Sequence, residues 1–334
     1  MKAVVYTHCR PIDAEDALLD TSLPDPVPRK RDLLVEVRAV AVNPVDTKLR
    51  RHADPVGEKR VLGFDAAGVV RALGAEVTHF GIGDEVWYAG AINRAGANAE
   101  YQLVDERLVG RKPRRLGFAD AASMPLTSLT AFEMLFDRLQ VPQAAAGSLL
   151  IIGGAGGVGS IAIQLARRAG FTVIATASRS ETIAWCRSLG AQHLIDHRQP
   201  LRPQLQALGF AQVDVVLNLA DTDRYWDAVG ELLAPQGHVG LIVEPTGALR
   251  IGDPYKAKAI GIHWEMMFAR PRFKTADQAE QGRILDRVAT LIDAGALRGT
   301  RTVTLAPINA ANLREAHRRL ESGSTIGKLV LAGW

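Results

Sequence analysis

Cysteine is nearly absent from this 334-residue chain, which contains only Cys9 and Cys186. Two thiols so far apart exclude a disulfide framework and a four-cysteine metal cluster within one chain, and they fit a reducing, cytoplasmic setting. Long apolar runs are lacking too. No stretch approaches the about 18 uninterrupted apolar residues of a membrane span. The start, Met1-Lys2-Ala3-Val4-Val5-Tyr6, reaches the polar Thr7-His8-Cys9-Arg10 before a secretory signal core can form. Aromatic residues are sparse, at 6%, and none is interleaved with the basic clusters Arg29-Lys30-Arg31, Arg111-Lys112 and Arg114-Arg115. These clusters sit beside prolines, and 40 basic residues against 36 acidic ones leave a formal charge of only +4. Solvated loop charge is therefore expected, with no nucleic-acid and no membrane partner.

What is present describes a folded protein with room for two domains, since the length exceeds the roughly 100–200 residues of one. No internal repeat is found, and the alanine run at 144–146 is too short to matter. Residues 3–6, 33–40, 66–72, 85–88 and 100–104 are apolar or alternating runs between turn signals, so the first third reads as mainly β. After Pro113 the apolar spacing changes to three and four and predicts helices over 118–124 and 128–139. From residue 149 onward, strands at 149–152, 172–176, 193–195, 213–217, 238–243 and 259–263 alternate with helical stretches. That alternation implies a parallel sheet with crossover helices. The tail reads as helices over 281–294 and 310–322 and a closing strand over 327–332.

Within the alternating region, Gly154-Ala155-Gly156-Gly157-Val158-Gly159 follows an apolar strand and opens a helix predicted over 160–168. In that context a G-x-G-x-x-G turn holds a dinucleotide. Its first glycine permits the tight turn, its second admits the pyrophosphate, and its third lets helix and strand pack closely. The helix N-terminus then offers unpaired N–H groups and a positive dipole end to the phosphates. Cofactor choice rests on the end of the next strand, Ala175-Thr176-Ala177-Ser178-Arg179-Ser180, where no acid occurs before Glu181. An acid would bond the ribose hydroxyls of NAD. Arg179, with Ser178 beside it, instead suits the 2′-phosphate of NADPH.

Several further stretches carry a resemblance: "AVNPVDTKLR" at 41–50, "VLGFDAAGVV" at 61–70, "GIGDEVW" at 81–87, "NAEYQLV" at 98–104, "AGGVGSIAIQLAR" at 155–167 and "GKLVL" at 327–331. With the nucleotide segment second and a β-rich segment first, the chain resembles the medium-chain dehydrogenase/reductase superfamily over essentially its whole length. The resemblance implies an α/β fold with a GroES-like β-rich catalytic domain from residues 1–122 and 269–334 and a Rossmann NADPH-binding domain from 123–268. Zinc alcohol dehydrogenases of this superfamily place a cysteine where Asn43 stands and a His-Glu pair where Phe64-Asp65 stands. The ligand set is thus replaced, and without a Lewis acid the substrate must already be activated toward hydride.

The "NPVDTKLR" segment and Leu129-Thr130-Ala131 resemble the zinc-free quinone oxidoreductase branch, which implies an NADPH-dependent reductase of quinones or of the C=C bond of enones and enals. By that resemblance Asn43 and Asp46 lie on the loop facing the nicotinamide, where Asn43 donates to a substrate carbonyl and Asp46 orients it or organises water. Backbone capping of that loop is the competing account for both. Thr130 and Lys328 match cofactor contacts, with the start of an exposed strand as the alternative role of Lys328, and Phe64 and Asn98 match the substrate cleft. His263 and Trp264, in an aromatic and thioether cluster at 263–268, either wall that cleft or form a buried edge strand used in dimer contact, the structural role being the favoured one. Relatives often place Lys and Tyr against the 2′-phosphate; Thr182 and His197 stand there, and a partial positive charge on His197 is expected to help. The resemblance also implies a homodimer. A zinc-dependent alcohol dehydrogenase and a non-catalytic NADPH-binding sensor or structural protein remain the alternatives.

Overall fold

A computed structural model describes residues 1–142 and 145–334; Gln143 and Ala144, the latter in the alanine run, lie outside the described residues. The chain divides into two compact units, Met1–Leu129 with Phe268–Trp334, and Thr130–Met267. It begins with β1 (Lys2–Tyr6), β2 (Leu19–Ser22), β3 (Asp32–Ala41), α1 (Pro44–His52), β4 (Arg60–Val61), β5 (Ala66–Leu73), β6 (Glu85–Tyr88), β7 (Tyr101–Asp105), β8 (Val109–Arg111), α2 (Phe118–Ala122) and α3 (Pro125–Phe132). The second unit continues with β9 (Ser148–Ile152), α4 (Gly157–Ala169), β10 (Thr172–Thr176), α5 (Ser180–Ser188), β11 (His193–Ile195), α6 (Leu201–Ala207), β12 (Val213–Asn218), α7 (Thr222–Leu232), β13 (Leu233–Leu241) and β14 (Gly261–Trp264). The chain then returns to the first unit through α8 (Ala269–Phe273), α9 (Glu280–Asp293), β15 (Arg301–Leu305), α10 (Ala310–Glu321) and β16 (Lys328–Ala332).

In the first unit β3 organises the larger sheet. Its sequence alternates, with Leu33, Val35 and Val37 buried, and then becomes wholly buried at Ala39-Val40-Ala41. The alternating half pairs with β7, the buried half pairs with the C-terminal strand β16, and β5 runs along the opposite edge. The sheet order is β15-β16-β3-β5-β6-β8, and a smaller sheet has the order β2-β1-β4. β16 brings residues from the far end of the sequence beside the start of α1. The chemistry of the unit gathers there.

The second unit is a six-stranded, all-parallel sheet in the order β11-β10-β9-β12-β13-β14. Every residue of β9, Ser-Leu-Leu-Ile-Ile, is buried, as a strand covered by helices on both faces requires. Numbered within the unit, this is the 3-2-1-4-5-6 order of the doubly wound nucleotide-binding fold, whose ligand site lies at the carboxyl ends of the first and fourth strands, where chain direction reverses. Those strands are β9 and β12. Among the described residues no helix is long and apolar enough to cross a membrane.

Most predicted elements form where the periodicity put them, with four local corrections. The segment after Asn43 is the helix α1, not a loop. The helix after the glycine turn starts at Gly157, three residues before its predicted start at 160, with Gly156 as its N-cap. The helix predicted over 128–139 is α-helical only to Phe132 and continues as a wider π-helical turn over Glu133–Arg138. Finally, β2, β4, β8 and β15 had no predicted counterpart: they are two to five residues long and lean on sheet partners, not on alternation of their own.

Candidate functional site

Two clusters of candidate residues form, one in each unit. In the first, α1 opens with Asn43 as N-cap, Pro44 at N1 and Asp46 at N3. Proline tolerates N1 because its missing N–H would be unpaired there anyway, and an N3 carboxylate reaches back to the N-cap amide. Asp46 does so: its Oδ2 accepts from Asn43 N at 2.8 Å, and its Oδ1 accepts from Gly63 N at 3.0 Å. The Asn43 side chain faces the other way. Its Nδ2 donates to Asp65 Oδ2 at 2.7 Å, and its Oδ1 accepts from Lys328 Nζ.

Lys328 completes the ring by donating to Asp65 Oδ2 at 2.8 Å and to the Val42 carbonyl at 3.1 Å. Asp65 Oδ1 in turn accepts from Leu126 N at 2.7 Å, in the first turn of α3, where the helix dipole favours a negative charge. Asn43, Asp46, Asp65 and Lys328 are all at most 4% exposed. Lys328 thus opens a buried inner strand, and three acceptors engage its ammonium. Burial pushes Asp46 up to about 7, against the backbone N–H donors of Asn43 and Gly63 and the charge of Lys328. Burial also raises Asp65, opposed by Lys328, Asn43 and Leu126.

Of the other predicted cleft residues in this unit, Phe64 is buried edge-on against Phe268, with centroids 5.4 Å apart at 74°. Asn98 is buried, and its main chain bonds to Leu62 and Val4. Tyr101, which is not one of those predictions, lines a depression with Glu36, Arg38, Glu100 and Trp334. The basic clusters meet local acids: Arg31 pairs with Glu106 and Lys112 with Glu85.

The second cluster surrounds the glycine turn at the carboxyl end of β9. At Gly154 an added Cβ would stand 2.8 Å from Ala175 Cβ, and at Gly159 it would stand 2.4 Å from the Gly153 carbonyl oxygen. Gly156 differs, for its nearest neighbour would be 3.5 Å away. Two of the glycines therefore serve close packing, and the third keeps the mouth of the turn open. No side chain caps α4, so the first-turn amides at Gly157, Val158 and Gly159 have no intrahelical or side-chain cap acceptor. This open cradle fits a pyrophosphate.

At the end of β10, Arg179 is exposed and is the N-cap of α5, where Thr182 Oγ1 accepts from Arg179 N at 3.1 Å. The sequence reading missed two neighbours. Arg198 donates to the Ser178 carbonyl at 2.9 Å, and Arg224 donates to the His197 carbonyl at 3.3 Å. The signal was available, since parallel strands joined by crossovers bring the ends of β10 and β11 side by side. Burial lowers the His197 pKa, with Arg224, Arg198 and Arg179 adding to the effect while Asp196 opposes it. Its ring is held neutral at pH 7, contrary to the expected partial positive charge; of the guanidinium groups around it, Arg198 is itself paired with Asp196 at 2.7 Å. Thr130 is buried in α3, while His263 and Trp264 lie on the edge strand β14, with Trp264 46% exposed.

A mainly antiparallel β unit completed by the C-terminal strand, together with a doubly wound unit carrying an open glycine cradle, defines the medium-chain dehydrogenase/reductase class. The sequence matches the alcohol dehydrogenase GroES-like domain over residues 29–118 and the zinc-binding dehydrogenase family over residues 189–331. It is 42% identical over 310 residues to a zinc-type alcohol dehydrogenase-like protein of Staphylococcus aureus strain MSSA476, covering 92% of each chain. A crystal structure of a putative zinc-dependent alcohol dehydrogenase protein from Rhizobium etli superposes with a TM-score of 0.96 at 53% identity, covering 100% of this chain and 98% of that one. Over a shorter stretch, 59% of this chain and 52% of the relative, it is 37% identical to an NADPH-dependent alkenal/one oxidoreductase of Arabidopsis thaliana. The chain belongs to the zinc-type alcohol dehydrogenase-like proteins of the medium-chain dehydrogenase/reductase superfamily, a family of oxidoreductases.

The zinc in those names does not fit the residues around Asn43. An amide, a phenyl ring and a carboxylate already paired to an ammonium make a poor donor set for zinc, which takes thiolate, imidazole or free carboxylate. Among the described residues no three His, Cys, Asp or Glu side chains gather to hold a metal.

Proposed function

We propose that this protein is a zinc-independent reductase that transfers hydride from NADPH to a quinone or to the β-carbon of an α,β-unsaturated carbonyl. The observation that carries the reading is the Lys328 ammonium between Asp65 and Asn43. It supplies positive charge to the buried network but offers no open coordination position for a substrate oxygen. A simple alcohol or ketone would lack its Lewis acid, whereas a conjugated acceptor delocalises developing charge onto its own oxygen.

When bound, NADPH supplies the hydride and its two electrons. The chain's own part is to bind and to orient. Gly156 and the first turn of α4 take the pyrophosphate. Arg179, backed by Arg198 and Arg224, takes the 2′-phosphate, with the Ser178 hydroxyl beside it. Asp46 and Asp65 fix the start of α1 through Asn43, so both Asn43 and Asp46 serve as positioning residues for that segment. The name of the Arabidopsis relative supports NADPH and an enone-type acceptor. The thiols, Cys9 half-buried and Cys186 buried, support a reducing cytoplasmic setting.

The test is NADPH oxidation at 340 nm with a panel of 2-enones, 2-enals and quinones, set against simple ketones and repeated after chelator treatment. Turnover confined to conjugated acceptors and indifferent to chelation is the expected result; ketone reduction abolished by chelation would overturn it. Tight NADPH binding without turnover on any acceptor would make the protein a nucleotide-binding sensor instead. For cofactor choice, Arg179→Ala should raise the KM for NADPH roughly tenfold or more while leaving that for NADH nearly unchanged, since a hydrogen bond to a charged group contributes about 1.5–3 kcal/mol. Equal effects on both cofactors would remove Arg179 from the 2′-phosphate site.

A further inference from the structure

A cluster in the second unit, which includes the predicted cleft residue His263, lies outside the two clusters described above. His238 on β13 and His263 on β14 stand side by side, with His238 Nδ1 3.1 Å from His263 Nε2 and ring centroids 5.1 Å apart at 56°. The register pairs His238 with Gly261, and that glycine makes the room. A Cβ there would stand 2.4 Å from His238 Nδ1 and 2.9 Å from His263 Nε2.

The tautomer of His263 follows from its surroundings. Its ring also hydrogen-bonds to the Arg138 backbone. A carbonyl there accepts a proton from Nδ1 and leaves the Nε2 lone pair facing His238, an arrangement typical of metal-bound histidines. Burial first, and then the neighbouring His238, lowers the pKa of His263 and keeps it neutral at pH 7. Arg138 is itself held, its Nε donating to Glu265 at 2.7 Å and its Nη2 standing 3.6 Å from a Glu133 carboxylate oxygen.

We propose that His238 and His263 form a two-imidazole site for a late first-row divalent transition metal of the copper(II) class, separate from the nucleotide and Asn43 sites. Metal–nitrogen bonds of about 2.0–2.1 Å put adjacent ligand atoms about 2.9–3.4 Å apart, the range in which the two nitrogens already stand. On binding, His263 contributes Nε2, and His238 contributes Nδ1 after its proton moves to its own Nε2. No net charge is lost from either ring. Among the described residues no third His, Cys, Asp or Glu completes the site, so solvent fills the remaining positions. Two nitrogens plus water in an adaptable, solvent-completed geometry favour copper(II) over zinc(II) and nickel(II) in affinity.

The experiment is titration of the full chain with copper(II) sulfate, followed by electron paramagnetic resonance and by competition with a chromophoric chelator. One equivalent with coupling to two imidazole nitrogens is expected, weakened roughly tenfold or more in His238→Gln, His263→Gln and Gly261→Ala. Thermal melts confirm that each variant is folded. In the unsubstituted protein, sub-stoichiometric copper should broaden the His238 and His263 ring resonances first, which keeps the test independent of any variant. Wild-type affinity in the His238→Gln/His263→Gln double variant, or earlier broadening of other histidines, would overturn the site.

Discussion

At the scale of single residues, the buried ring of Asn43, Asp65 and Lys328 ties the ends of the first unit together. Lys328→Met strands the Asp65 carboxylate in the core and should cost about 3–5 kcal/mol in chemical denaturation, with part recovered in the Asp65→Asn/Lys328→Met double variant. Additive losses would mean that the two do not act as a pair. Asp46 gives a second, signed expectation. Its folded pKa of about 7 lies above the ordinary 3.8, so the native state binds its proton more tightly than the unfolded chain. Its contribution to stability is therefore complete below about pH 4 and is lost as the pH rises through about 7. The difference in stability between the native protein and Asp46→Asn, measured from pH 5 to pH 8, should show this slope; a flat difference would mean that Asp46 is already ionised across the range. The resemblance supplied Asn43, Asp46 and Lys328 one by one. That Lys328 spends its charge on the other two network residues was not legible, because the contact joins residues at opposite ends of the chain through a strand pairing that periodicity does not specify.

At the scale of elements, the glycine turn separates folding from binding. Gly159→Ala sets a Cβ against the backbone oxygens of Gly153 and Gly154, at 2.4 and 2.7 Å, so strand and helix must move apart. Gly156→Ala meets nothing closer than 3.5 Å and instead narrows the mouth of the cradle. Gly159→Ala should lower the melting temperature of the ligand-free protein, whereas Gly156→Ala should leave it nearly unchanged and weaken NADPH binding measured by calorimetry. Reversed effects would reassign the two roles. The strand-turn-helix unit was legible because its hydrophobic run, glycine spacing and following helix are all local. Helix α1 was also within reach, since Asn-Pro-x-Asp is an N-cap, an N1 proline and an N3 acid, but it can equally be read as a turn until the next two helical turns are counted. The guanidinium cluster of Arg179, Arg198 and Arg224 was not legible, because its members come from the ends of different strands and helices and meet only once the sheet order is known.

At the scale of the whole molecule, β14 leaves an edge to be accounted for. It ends the six-stranded sheet and is followed by Glu265 and the exposed Met266, while Ile262 and Trp264 on the strand itself are 37% and 46% exposed. A solvent-facing edge with unpaired backbone groups and large apolar side chains is a liability that soluble proteins usually cover or break with charge. On the solvent side β14 carries neither charge nor proline; its adjoining carboxylate, Glu265, is buried against Arg138. A second copy of the chain offers the same edge, and two copies related by a twofold axis satisfy each other's strand in one closed contact. We propose that the homodimer implied by the resemblance forms through β14. Light scattering should find two chains per particle, and Trp264→Glu should shift the protein toward monomer as the charge is forced into an apolar contact. A monomeric native protein, or a Trp264→Glu variant that stays fully dimeric, would place the interface elsewhere and leave the exposure of β14 to be explained by a different partner.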